Sequence, residues 1–329
     1  MATMAAVTEN DCGAQPRDVN NCGPSDGDRE MLDRLLLRMH GTHGYDAMDE
    51  LVSRLRVKYS SMLEDRWRHY VTEVLLPHPI RNFLHDDPFT YRAFSKPRGY
   101  AGDAVMIDMI YAAENREPLD DSSGRFVTRY TTDGSAPHGV RNRRRKLAAL
   151  LDEVIDRRPD ARVLALAAGH LREMDLARNA VEAFRGEIIA FDQDAESLTV
   201  VERDYSSRGV RTLHASVKHL LVGKIDLRGF DLVYAAGLFD YLSQPIAKAL
   251  CERMFDMLSP GGRLLIANFV PDIPDVGYME SFMDWHLVYR DEVAMRDLAA
   301  GIPRQRMADL DISFDVTRNI VYLSLVARG

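Results

Sequence analysis

The chain has 329 residues, 46% of them hydrophobic and 28% charged, with a formal net charge of −8. This suits a folded protein with a large core plus a smaller module, and the acidic balance argues against a nucleic-acid-binding surface. Three cysteines, Cys12, Cys22 and Cys251, suit neither a disulfide framework nor a zinc cluster, and no apolar run approaches the ~20 residues of a membrane span. A reduced, cytoplasmic setting without a bound metal is the expectation.

Met1 to about Asp28 mixes Asp, Asn, Gly, Pro and Ser, lacks the marks of a signal peptide and reads as a disordered leader. Apolar residues then recur at helical spacing over 31–39. They do so again from Met48 through Leu51, Leu55, Tyr59, Met62, Trp67, Tyr70 and Val74 to Leu76, where Pro77 and Pro79 stop the helix. Shorter helices are predicted over 80–85, 88–94 and 104–111. A looser stretch, 114–137, leads into a helix over about 140–155. The basic run at 141–146 reads as a solvated helix face, the alternative being a phosphate or acidic-partner site. No segment before Arg162 has a strand pattern, so residues 29–138 are expected to form an all-helical cap ahead of a second unit over 139–329.

That second unit changes pattern. Short runs rich in Val, Ile and Leu at 162–167, 187–191, 210–214, 230–235 and 262–268 alternate with amphipathic helices over 173–184, 195–208, 217–221 and 246–258. The alternation indicates an α/β fold with parallel strands buried under helices. Segments 312–316 and 320–326 flank a tight Thr317-Arg318-Asn319 turn and suggest a closing antiparallel hairpin.

The first strand ends in Ala167, Ala168 and Gly169, small enough for a ligand to approach the backbone where a helix N-terminus offers free N–H groups. A purely structural turn is the alternative. Asp192, at the tip of the second strand and followed by Gln193, is placed to accept both hydroxyls of a nucleoside ribose, while Asp194 is better placed to cap the next helix. Ser216 and Val217 follow the third strand, and Ala235, Ala236 and Gly237 end the fourth.

The series from Leu164 through Asp192 and Asp231-Leu232-Val233 to Ser259-Pro260-Gly261-Gly262 resembles the class I S-adenosylmethionine-dependent methyltransferases over about 140–329. The resemblance implies a Rossmann-like sheet of five parallel strands closed by the C-terminal hairpin, with S-adenosyl-L-methionine as cofactor. It also implies that Ser216 and Val217 run along the adenine, and that sulfonium and acceptor meet near Ala236 and Gly237. The chain departs from the family at Ala165, Ala167 and Leu171. The family usually carries an acidic residue at the Ala165 position, and Glu173 is the candidate to hold the methionine ammonium instead.

A narrower resemblance rests on Lys96-Pro97-Arg98-Gly99-Tyr100-Ala101-Gly102-Asp103, Gly169-His170-Leu171-Arg172-Glu173, Gly237-Leu238-Phe239-Asp240-Tyr241 and Asp284-Trp285-His286-Leu287-Val288-Tyr289-Arg290. Together these are similar to bacterial hydroxy-fatty-acid methyl ester biosynthesis proteins, which implies carboxylate O-methylation. Class I folds also transfer or cyclise the aminocarboxypropyl arm of the same cofactor, and these motifs do not exclude it. A cofactor-binding protein without catalysis is a third reading, prompted by the alanine-substituted turn.

On the substrate side, the loop 96–103 interleaves Lys, Arg, Tyr and Asp with two glycines, as functional loops on rigid scaffolds often do. Arg98 would grip a carboxylate of cofactor or acceptor through its planar fork, and Tyr100 would stand near the sulfonium. The alternative is an Arg98–Asp103 pair that pins the loop. Tyr278, Phe282, Trp285 and Tyr289 form a stripe at near-helical spacing, either core or acceptor wall, with Glu280, His286 and Arg290 as its polar members. A carboxylate acceptor is ionised at neutral pH and needs no base, whereas a hydroxyl or amine would need His286, Glu280 or Asp240. The catalytic candidates are Tyr100, Asp240, His286 and Tyr289. The cofactor-binding candidates are Arg98, Ala167, Gly169, Glu173, Asp192, Gln193, Ser216, Val217, Ala236 and Gly237. The expected partner is a small-molecule acceptor, and the oligomeric state is open.

Overall fold

A computed structural model of the chain describes residues 26–115, 125–179 and 183–329. The predicted leader lies outside the described residues up to position 25, and residues 26–28 already open the first helix. The N-terminal part consists of α1 (Asp26–Met39), α2 (Gly44–Ser61), α3 (Glu64–Tyr70), α4 (Ile80–His85), α5 (Pro88–Ser95), α6 (Ala104–Ala112) and α7 (Arg125–Thr132), followed by the long α8 (Ser135–Arg157). The single helix predicted over 48–76 is broken. Met62 and Leu63 are extended between α2 and α3, and Val71–Leu75 widen into a π turn. The break re-aims α3 so that Trp67 packs edge-on against Tyr59, with ring centroids 5.5 Å apart, and donates its indole N–H to Glu280 at 3.2 Å. Pro88 in the first turn of α5 and Asp87 as its cap, accepting the N–H groups of Phe89 and Thr90, explain why that helix starts where it does.

The strands are β1 (Arg162–Leu166), β2 (Glu187–Asp192), β3 (Val210–His214), β4 (Phe230–Ala235), β5 (Leu258–Phe269), β6 (Met307–Phe314) and β7 (Ile320–Ala327). They form one sheet in the order β3-β2-β1-β4-β5-β7-β6, with β1 to β5 parallel and β7 antiparallel to both β5 and β6. The predicted closing hairpin is therefore present, and its second strand lies inside the sheet beside β5. Between the strands lie α9 (Ala195–Tyr205), α10 (Val217–Leu221) and α11 (Gln244–Phe255), and beyond β5 come α12 (Val276–Phe282) and α13 (Glu292–Asp297). The helix predicted over 173–184 does not form as such. Among the described residues a 3-10 turn, Arg172–Asp175, follows β1, Asn179 is helical and accepts the Ala183 N–H at 3.0 Å, and residues 180–182 lie outside the described residues. The N–H groups of Arg178 and Asn179 are taken by the Asp152 carboxylate on α8, so this stretch needs no helical ladder to satisfy them.

Successive strand residues feed opposite faces, both buried. Val163, Ala165, Ile188, Leu232 and Leu265 face a core that also contains Leu32, Leu35, Trp67 and Leu151 of the N-terminal helices and α8. Leu164, Leu166, Ile189, Val233 and Ile266 face Leu250 and Met254 of α11. The N-terminal helices thus share the core of one sheet face.

The Ser259-Pro260-Gly261-Gly262 segment lies within β5 as an irregularity: Phe230 pairs with Leu258, yet Leu232 pairs with Arg263. Gly261 has φ +77°, and a Cβ on Gly262 would stand 2.6 Å from the Phe230 carbonyl oxygen. Gly262→Ala is expected to cost about 1–3 kcal/mol through overpacking against backbone. A urea midpoint equal to that of the wild type would contradict this placement of the bulge.

Candidate active site

The carboxyl ends of β1 to β4 open into a cavity of ≈ 890 Å³, covered by the 96–103 loop and flanked by α6 and α8. Ligand sites of small molecules and cofactors commonly run from about 300 to 1,000 Å³. The turn after β1 forms its floor. Ala167, Gly169 and Leu171 have φ of 50°, 54° and 53°, a left-handed series that turns the backbone sharply under the cavity. Asp192 ties this turn to β2: Oδ2 accepts the Gly169 N–H at 2.8 Å and Oδ1 accepts the Asp194 N–H at 2.9 Å. Burial pushes the Asp192 carboxyl above its usual range, while those N–H groups pull it back.

Every residue expected on the cofactor side lines this cavity. Glu173 is buried, accepts the Tyr234 hydroxyl at 2.6 Å, and is pushed upward in pKa by burial. Gln193 is an exposed part of the wall, and Ala236 and Gly237 stand at the exit of β4. Ser216 has its Oγ occupied as the cap of α10, accepting the Lys218 N–H at 3.3 Å, and Val217 adds apolar wall beside it. Asp194 caps α9 through the Glu196 N–H, the role expected of it.

Arg98 lines the cavity, but its fork is held by the chain itself. Nη1 donates to Asp194 at 2.9 Å and to Ser197 at 3.0 Å, and Nη2 donates to Glu196 at 3.1 Å. Asp103 pairs instead with Arg92 and caps α6. With Lys96 bonded to Asp284, these pairs latch the loop across the sheet's edge.

Of the four reacting-side candidates, Tyr100 and Asp240 line the cavity, while His286 and Tyr289 do not. His286 is half exposed and turned toward Glu280 and Asp284, at 3.4 and 3.0 Å, contacts that raise its pKa. Tyr289 points away into packing that buries its hydroxyl without a hydrogen-bond partner among the described residues. Glu280 also stays outside the cavity, holding the Trp67 indole. From the aromatic stripe only Trp285 reaches the site, where its indole N–H donates to the Tyr241 hydroxyl at 2.9 Å. Tyr100 and Tyr241 meet edge to face with centroids 6.4 Å apart. A Cβ on Gly102 would lie 2.6 Å from the Trp285 ring, so glycine is what lets the loop close on this wall.

The basic run on α8 is the expected solvated face only in part, at Arg145 and Lys146. Arg141 and Arg143 are buried. Arg141 donates to the Thr132 and Ile110 carbonyls, at 2.7 and 3.3 Å, whereas Arg143 lines the cavity. The signal lies in the spacing: Arg143 falls on the same helical stripe as Ala136, Val140, Leu147, Leu150 and Leu151, all buried. Its guanidinium is 4.0 Å from Asp240 Oδ2. Asp240 is itself buried, its Oδ1 accepting the Phe269 N–H at 2.7 Å, and burial pushes its carboxyl up to about 6 against the pull of Arg143. Arg290, fully buried, fixes the segment that carries Asp240 by donating to the carbonyls of Phe239 and Leu242.

Residues 163–262, the stretch that supplies the floor and exits of this cavity, match the family model of methyltransferase domains. Over that stretch the chain is similar to methyltransferase domains. Among solved structures, a possible exported protein of Bordetella parapertussis is similar in fold at 17% identity and TM-score 0.54, over 68% of this chain and 79% of that one. A putative O-methyltransferase of Nostoc punctiforme is similar at 16% identity and TM-score 0.43, over 69% and 73%. A magnesium protoporphyrin IX methyltransferase of Synechocystis with bound SAH is similar at 11% identity and TM-score 0.47, over 69% and 96%. No curated protein matches the sequence. Among the described residues no cluster of His, Cys, Asp or Glu is arranged to hold a metal ion, and no helix is long and apolar enough to cross a membrane.

The two N–H groups that Asp192 accepts make a stability prediction. Asp192→Ala leaves the Gly169 and Asp194 N–H groups without their acceptor and is expected to cost about 1–3 kcal/mol of folding stability. Unchanged urea unfolding would show that the tie is dispensable. Asp240 makes a second. Its folded pKa of about 6 exceeds its ordinary value of 3.8, so between these pH values the folded state holds a proton that the unfolded state lacks. The stability that this proton contributes is present below pH ~4 and lost as pH rises through ~6. Asp240→Asn should therefore gain stability relative to wild type between pH 4.5 and pH 7, and parallel pH–stability curves for the two proteins would contradict the assignment.

Proposed function

We propose that this chain transfers the methyl group of S-adenosylmethionine to a carboxylate or hydroxyl of a small molecule, held between the exit of β4 and the 96–103 loop. The observation that carries this reading is the continuity of the cavity, from the left-handed turn at 167–171 and Asp192 to the wall of Tyr100, Tyr241 and Trp285. The residues fit the cofactor. Small residues leave the backbone of the turn open, Asp192 offers a carboxylate to ribose hydroxyls, and the buried Glu173 offers one to an ammonium. The cofactor supplies an electrophilic methyl on a positively charged sulfur. The segments similar to the hydroxy-fatty-acid methyl ester proteins support the acceptor assignment, since Arg98, Tyr100, Gly102, Asp240 and Trp285 from them all line the cavity.

The chain's own work is binding, alignment and exclusion of water. Aromatic faces at Tyr100, Tyr241 and Trp285 favour a cationic sulfur beside them and keep the acceptor's surroundings dry. Bringing a nucleophile to ~3 Å in line with the leaving group supplies several kcal/mol of the barrier reduction. A carboxylate acceptor needs no proton removed. For a hydroxyl, the Asp240 carboxylate, which lines the cavity, is the group that takes the proton. The reading is tested by incubating the chain with S-adenosylmethionine and a mixed small-molecule extract and separating the nucleoside products. S-adenosylhomocysteine is expected to accumulate. Methylthioadenosine in its place would mean transfer of the aminocarboxypropyl arm, and the methyl-transfer reading would be wrong.

A further inference from the structure

Arg143 stands apart from the other buried arginines. Arg290 uses Nε, Nη1 and Nη2 in hydrogen bonds to Gln244, Phe239, Asn268 and Leu242, and Arg141 donates to two carbonyls. Arg143 is only 6% exposed, yet its guanidinium makes no hydrogen bond to a described residue, and its one ion-pair contact is Asp240 at 4.0 Å. A buried cation with a rigid fork of five donors is costly unless an anion meets it at hydrogen-bond distance. Asp240 does not meet it at that distance: its Oδ1 accepts the Phe269 N–H, and its Oδ2 stands 4.0 Å from the guanidinium. Glu173 and Asp192, also buried in the cavity, make no ion pair with Arg143; Glu173 accepts the Tyr234 hydroxyl and Asp192 the Gly169 and Asp194 N–H groups. The donors face the cavity beside Gly237, where a Cβ would approach them to 3.7 Å, so the side opposite the helix is open to a ligand.

We propose that Arg143 is the carboxylate anchor of this cavity: its fork binds the carboxylate of a ligand between α8 and the exit of β4. The proposal rests on the methyl-transfer reading above and names the residue that determines which ligands that site accepts. Charge supports a monoanion. Arg98 and Arg172 also line the cavity but are held by Asp194, Glu196, Asp108 and Asp204, and Lys218 is exposed; beside Arg143 stands Asp240, so a singly charged carboxylate fits better there than a phosphate dianion. That carboxylate has two sources, the amino-acid end of the cofactor or the acceptor. In the second case a carboxylate oxygen forms the new C–O bond to the methyl carbon while the C–S bond breaks. The electron pair stays on sulfur, and no proton moves.

The test uses the full chain as wild type, Arg143→Lys and Arg143→Gln. Each is titrated calorimetrically with S-adenosylhomocysteine and with methylthioadenosine, which lacks the carboxylate. Each is also assayed for methyl transfer from labelled S-adenosylmethionine to monocarboxylates from acetate to decanoate and to benzoate. Label released as methanol by alkali identifies methyl esters. Thermal melts accompany all three proteins and establish that each variant is folded before its binding is read. If the anchor serves the cofactor, Arg143→Gln weakens S-adenosylhomocysteine at least tenfold and methylthioadenosine less than twofold, with Arg143→Lys between. If it serves the acceptor, S-adenosylhomocysteine affinity stays within twofold while ester formation falls at least a hundredfold with a raised KM. Equal weakening of both nucleosides overturns the proposal. So does an unchanged nucleoside ratio combined with ester formation that is absent in wild type or unaltered in the variants. A wild type that binds neither nucleoside and transfers no methyl group removes the underlying reading instead, a separate result from either.

Discussion

The winding of the sheet reverses between β1 and β4. From β1 the chain steps outward through β2 to β3, then crosses back to place β4 on the other side of β1. Loops leaving β1 and β4 must therefore part, and the crevice between them is where a parallel α/β sheet holds a ligand. The rest of the site follows from that gap. The turn after β1 can run under the crevice only because Ala167, Gly169 and Leu171 adopt left-handed φ, and Asp192 pins it there with two N–H contacts. The N-terminal helices then close the open side. Their apolar residues belong to the same cluster as one face of the sheet, and the loop between α5 and α6 lies across the crevice.

Closing the crevice buries charge. Arg143, Asp240 and Glu173 are all removed from solvent in a space whose walls are otherwise mostly apolar and aromatic. The two carboxyls are both pushed upward by burial, and the arginine's opposing pull on each does not cancel it. Such a triad is a poor device for stability, because desolvation outweighs attraction at these separations. It is a good device for meeting a polar ligand with fixed dipoles in a dry space. On this account, activity and stability are expected to trade against each other at these positions.

Much of the fold was legible in the sequence, and for identifiable reasons. β1, β2 and β4 are short apolar runs bounded by turns and buried on both faces, so their pattern is unambiguous. The acidic tip of β2 was visible because Asp192 ends an apolar run directly. Two helices were misread where tertiary contacts override periodicity. The apolar series from 48 to 76 continues at helical spacing across Met62 and Leu63, but the chain turns there to seat Trp67. After β1 the side chain of Asp152, remote in sequence, satisfies N–H groups that a helix would otherwise have served. The substrate side was less legible. His286 and Tyr289 share a segment with Trp285, yet only Trp285 faces the cavity, and nothing in local spacing separates them because 283–291 is not helical. Arg143 was hidden by its neighbours: within a run of arginines and a lysine, charge suggested solvent, and only the phase of the α8 stripe places it inside.

The central claim is that the crevice between β1 and β4 is one continuous site, with the nucleoside at Asp192 and the reacting sulfur toward Gly237. A crystal structure of the chain with S-adenosylhomocysteine tests it most directly. The account predicts ribose oxygens within hydrogen-bond distance of the Asp192 carboxylate, the adenine beside Ser216 and Val217, and the sulfur facing the wall of Tyr100, Tyr241 and Trp285. A nucleoside bound elsewhere, or one lying in the crevice with its sulfur turned away from that wall, would contradict it.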